Sequence, residues 1–130
     1  MTPRLIRLAR AIQEFEGWNY GATAERPLLN TSITWRNHNP GALRTSPFQL
    51  GTRDGFAYFY DDEIGFFALL WDLWMKCQGK TSTGLNEEST IYDLIRIYSA
   101  EPKPKVDEYV KFIQERTGLQ PNTKLKILLQ

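Results

Sequence analysis

The sequence predicts an α+β fold, mainly α, in which helices surround a buried central helix and a small β element is set to one side. Three stretches carry that expectation. Apolar residues recur at helical spacing over residues 3–16, and a nearly all-round apolar run fills residues 64–77. The β-formers Phe56-Ala57-Tyr58-Phe59-Tyr60 follow an Asp54-Gly55 turn signal. With 130 residues, of which 42% are hydrophobic and 13% aromatic, the chain is long enough for one real core, and a single domain over 1–130 is expected.

Each element has a local cause. Thr2 is placed to cap a helix that Pro3 opens, and Leu5, Leu8, Ala9, Ile12 and Phe15 then line one face until Gly17 stops it. Residues 17–42 have no period and read as loop. Residues 43–60 read as two or three short strands. Asp61-Asp62-Glu63 suits the positive end of the next helix dipole. From Ile64 to Cys77 that helix is apolar almost all round, as in the middle of a domain, and at about 20 Å it is too short for a bilayer. After a loop over 79–88, Ser89-Thr90 with Asp93 resembles a capping box before Ile91, Leu94, Ile95 and Tyr98. Pro102 and Pro104 break the chain. A fourth helix follows, with Val106, Tyr109, Val110, Phe112 and Ile113 inward and Gly118 as its stop, and then a short terminal helix carries Leu125, Leu128 and Leu129.

Composition excludes several classes. Sixteen basic against 15 acidic residues give a net charge of +1, with no run of like charges, so a partner held by counterion release, such as nucleic acid, is not expected. No segment approaches a membrane span, and the first fifteen residues lack the continuous apolar stretch of a secretory signal. The single cysteine, Cys77, sits inside the apolar run and reads as a small core residue in a protein made in the reducing cytosol. One histidine and no clustered ligands give no metal site, and no cofactor motif is present. A monomer is expected.

Chemistry concentrates near the first helix end. Glu16 lies four residues after Ile12, on the apolar side, whereas Glu14 falls on the face of Arg4, Arg7 and Arg10. Burial and the negative helix end both favour the protonated form of a carboxyl at position 16, as a general acid requires. The same position also suits a residue that only hydrogen-bonds the adjacent loop. Asn37 and Asn39 flank His38 in a segment that offers amide donors and acceptors to a ligand, or simply makes an Asn-Pro-Gly turn in which Pro40 sets φ and Gly41 permits positive φ. Trp18, Tyr20 and Trp35 flank these groups and could stack on sugar rings or plug the core. A second carboxylate is not evident; Asp54, in the presumed β turn, is the better candidate over the cap residues Asp61 and Asp62.

Taken together, Ala11-Ile12-x-x-Phe15-Glu16-Gly17, Arg36-Asn37-x-Asn39-Pro40-Gly41-x-Leu43-Arg44, Phe59 and Glu63-x-Gly65-Phe66-x-Ala68-Leu69 resemble the small lysozyme-like muralytic domains of phage endolysins, virion-associated peptidoglycan hydrolases and lytic transglycosylases. The tail adds Thr90-Ile91, Tyr98, Tyr109-Val110 and Thr117-Gly118, so the resemblance spans roughly residues 5–120. It implies a lysozyme-like fold and cleavage of the β-1,4 bond between N-acetylmuramic acid and N-acetylglucosamine in peptidoglycan strands. It also implies that Glu16 is the catalytic acid and that the Asn-Pro-Gly loop shapes the cleft. His38 departs from the pattern, which often carries asparagine there. The expected site is therefore Glu16 as acid, with Asn37, His38, Asn39, Trp18, Tyr20 and Trp35 around the sugar, working at the bacterial wall after release from the cell or delivery in a virion. The rival reading is a non-catalytic wall-binding or virion structural domain of the same fold; a third is action on a related polymer of N-acetylglucosamine.

Overall fold

The computed structural model describes residues 1–17 and 33–130. These are mainly helical with one two-stranded antiparallel sheet, an α+β arrangement. In chain order they form α1 (Pro3–Phe15), α2 (Ile33–Arg36), β1 (Gly51–Arg53), β2 (Phe56–Tyr58), α3 (Asp62–Cys77), α4 (Ile91–Ser99), α5 (Lys103–Thr117) and a closing 3-10 turn, Leu125–Leu129. They divide into two compact units, Met1–Ala11 with Leu73–Gln130, and Ile12–Asp72.

In the first unit, Thr2 caps α1 as its sequence position requires: the hydroxyl accepts from Leu5 N at 3.1 Å and donates to the Leu128 carbonyl at 2.5 Å. Leu5, Leu8 and Ala9 are fully buried, while Arg4, Arg7 and Arg10 stay exposed. The capping box is present at α4. Thr90 Oγ1 accepts from Asp93 N, and the Asp93 carboxylate accepts from Thr90 N. Pro104 does not break the chain; it sits in the first turn of α5, where its missing N–H would have had no helical partner. Gly118 ends α5 in the left-handed conformation, φ 76°. Residues 121–126 then return beside the start of α4, with Ile91 N bonded to Thr123 O and Leu125 N to Ser89 O. Leu94, Ile95, Val106, Tyr109, Ile113, Leu125 and Leu128 are buried in this unit.

In the second unit, Asp54 and Gly55 have φ of 55° and 82°, the pair of left-handed residues that a two-residue type I′ hairpin demands. The register follows: Gly51 faces Tyr58, Thr52 faces Ala57 and Arg53 faces Phe56. α3 starts where expected, with Asp61 Oδ1 capping Ile64 N at 2.8 Å.

Two expectations need correction. The apolar run of α3 predicts a helix enclosed on all sides, yet Ile64 and Phe67 are 36% and 45% exposed. Aromatic neighbours cover this helix only in part: Phe48 meets the Phe67 and Trp71 rings edge-on at 5.1 and 5.8 Å. Its fully covered side carries Ala68, Leu69 and Leu70 in this unit. The loop reading of 17–42 missed α2, a single helical turn too short to show periodicity.

At the end of α3, burial pushes the Cys77 thiol up from 9.0 to about 12, with neighbouring Lys76 opposing the shift. Above pH 9.0 the unfolded thiol ionises while the folded one keeps its proton. The contribution is intact below that pH and is lost as pH rises through about 12, at about 1.4 kcal/mol per unit. We expect the urea midpoint to fall more steeply with pH between 9 and 11 in the native chain than in Cys77→Ala, and Cys77 to resist a chromogenic thiol reagent until the chain unfolds.

Candidate functional site

Glu16 follows the last turn of α1, its N–H still bonded to Ile12 O at 2.9 Å, and Gly17 (φ 89°) turns the chain away. Glu14 and Glu16 are both half-buried, so burial does not separate them as helical spacing predicts. The helix closes here with a tight last turn, Gly17 N bonding to Glu14 O at 3.1 Å. α2 is fastened here: the buried Thr34 donates its hydroxyl to the Glu16 carbonyl at 3.4 Å.

The Asn-Pro-Gly loop leaves α2 at Asn37. Asn37 and Asn39, expected to offer amides to a ligand, are buried to 0% and 1% exposure; both amide nitrogens are engaged, whereas the buried Asn37 Oδ1 has no hydrogen-bond partner among the described residues. Asn37 Nδ2 donates to Arg53 O at 3.1 Å and Ala57 O at 3.4 Å. Asn39 Nδ2 donates to Leu43 O at 2.8 Å and Ala57 O at 2.9 Å, while its Oδ1 accepts from Leu43 N at 3.0 Å. Main-chain bonds complete the join, from Phe59 N to Asn37 O and from Ala57 N to Leu43 O, both 3.0 Å. The reason is the sheet edge. β2 has one neighbouring strand, and its other edge would be left with unpaired backbone groups. The two asparagines and the loop backbone satisfy that edge in place of a third strand. They are positioning residues.

The left-handed residues of the loop are His38 and Ala42, both at φ 52°, and not Gly41. His38 is the exposed member of the trio, its Nδ1 2.5 Å from Asp62 Oδ1 at the start of α3. Beneath it the loop backbone presses on the helix: a Cβ at Gly65 would lie 1.8 Å from His38 O. Gly65 is therefore set by close approach of backbone to backbone.

An open groove of about 470 Å³ runs along this face, lined by Trp35, Arg36, His38, Arg53 and Asp62. Trp35 and His38 were expected near a ligand. Asp62 reads from the sequence as a helix cap, behind Asp54 as a second carboxylate; Arg36 and Arg53 were not expected to line a site, and Arg53 stands in no motif that would have marked it. Asp54, the second-carboxylate candidate, is exposed at the hairpin tip, with Oδ2 3.9 Å from Arg36 Nη1. Trp18 and Tyr20 lie outside the described residues. Among the described residues no three His, Cys, Asp or Glu side chains converge as metal ligands, and no helix is long and apolar enough to cross a membrane.

Two substitutions test this platform. Gly65→Ala should gain about 1 kcal/mol of helix propensity yet lose more to the clash with His38 O, for a net destabilisation of about 1–2 kcal/mol by chemical denaturation. Asn39→Ala leaves the buried Leu43 N–H without its acceptor and removes one of two donors from each of the Ala57 and Leu43 carbonyls, and should cost about 2–3 kcal/mol.

No family model, no curated protein and no solved structure matches this chain.

Proposed function

We propose that the chain is a lysozyme-like muralytic enzyme that cleaves the β-1,4 bond between N-acetylmuramic acid and N-acetylglucosamine, with Glu16 as the general acid. One observation supports this above the rest. Within residues 12–72, the sequence segments that carry the resemblance are bonded to one another. Thr34 ties α2 to Glu16, the two asparagines tie the Asn-Pro-Gly loop to the hairpin, and Gly65 admits that loop against α3. The groove beside them offers an indole and an imidazole to a sugar.

In this reading Glu16 gives its proton to the glycosidic oxygen as the C1–O bond breaks, and the sugar develops oxocarbenium character. Water or the muramic C6 hydroxyl then adds to C1 and returns a proton to the Glu16 carboxylate. The first capture leaves a hydrated reducing end and the second a 1,6-anhydro end. Asp54, held near Arg36, is the candidate to assist the water route; capture by the C6 hydroxyl needs no second carboxylate. Delivery to the wall, by release from the cell or in a virion, belongs to the same proposal.

Glu16→Gln should slow clearing of purified peptidoglycan at least about 100-fold with the fold intact by circular dichroism. Equal clearing by both proteins would remove Glu16 from the mechanism. No clearing by either, with binding retained, would point to a wall-binding module. Mass spectrometry of the fragments separates the two captures. Asp54→Asn is the matching variant, since asparagine also suits the left-handed turn and only the charge is lost.

A further inference from the structure

We infer that Arg53 makes the groove a receptor for a single carboxylate, and that its ligand is the carboxylate-bearing muramyl-peptide part of the glycan strand rather than the neutral sugar backbone. The inference rests on the muralytic reading for the identity of the polymer, and on the groove alone for the carboxylate.

Charge pairing in the groove is uneven. Asp62 is taken by His38 at 2.5 Å, and Asp54, just outside, lies 3.9 Å from Arg36. Arg53 has no carboxylate within ion-pair distance among the described residues, and its guanidinium instead lies 4.4 Å over the Tyr58 ring. That stacking is built in. Tyr58 faces Gly51 across the hairpin, and a Cβ at Gly51 would come 2.8 Å from the ring, so the missing side chain leaves the ring room. The backbone beneath Arg53 is fixed as well, because its carbonyl accepts from the buried Asn37 amide at 3.1 Å. A planar fork with five donors, held by an aromatic face, is suited to bidentate capture of a carboxylate. Trp35, on the same groove, gives an apolar face for the attached sugar or peptide. Asp62 on the groove, and Asp54 next to Arg53 in sequence, disfavour a densely charged polyanion there.

The test is titration of the intact chain with muramyl dipeptide, its carboxamide and tri-N-acetylchitotriose, followed by NMR. Muramyl dipeptide should bind about tenfold tighter than the carboxamide at low salt. That ratio should collapse in Arg53→Gln and be only partly restored in Arg53→Lys, which keeps charge without the fork. The Trp35 indole N–H should shift with the carboxylate ligand. Equal binding of the dipeptide and its carboxamide, or a ratio unchanged in Arg53→Gln, overturns the inference even if peptidoglycan is cleared, and leaves the glycosidase reading standing. An Arg53-dependent ratio in a protein that clears nothing supports the carboxylate site and removes the enzyme. No binding of any muramyl compound together with no clearing sinks both.

Discussion

The edge of β2 is the constraint on which the second unit depends. A two-stranded hairpin is marginal in water because one edge of each strand lacks partners and little apolar surface is covered. Here the exposed edge is answered by two carboxamides. Each amide nitrogen meets two carbonyls, and the Ala57 carbonyl receives both side chains. Removing either amide takes a donor from the Ala57 carbonyl, and removing that of Asn39 also leaves the buried Leu43 N–H without an acceptor, at a cost above the net worth of an ordinary hydrogen bond. The loop is therefore a structural extension of the sheet. It is also what brings α2, with Trp35 and Arg36, to the same face as Arg53.

The same arrangement divides roles within one short motif. Asn37 and Asn39 point inward and hold backbone, while His38 between them reaches outward to Asp62. The alternation comes from the way α2 ends: His38 is left-handed, its N–H bonds to Trp35 O, and Asn39 N bonds back to Thr34 O. Beneath it, Gly65 lets the loop sit against helix backbone. The groove beside this loop is lined by Trp35, Arg36, His38, Arg53 and Asp62.

Much of this was legible in the sequence where local chemistry decides. Thr2, the Thr90–Asp93 box, the Asp54-Gly55 turn and the Gly17 and Gly118 stops all act through neighbours a few residues away. What was not legible depends on contacts distant in sequence. Asparagines look alike whether they serve a ligand or a sheet edge 16 to 20 residues away, and only the fold distinguishes them. The apolar run of α3 could not reveal that Ile64 and Phe67 would keep an open side, because that depends on how far Phe48 reaches. Arg53 carried no motif at all; its importance comes from Tyr58 on the opposite strand.

The amides that join loop to hairpin have a further consequence. Carboxamides do not exchange protons in the range where enzymes work, so the platform beneath the groove has no titrating member among its buried bonds. The side-chain bonds that hold the loop to the hairpin do not themselves respond to acid or base. A pH profile measured for this site will therefore carry no contribution from titration of the bonds that join loop to hairpin.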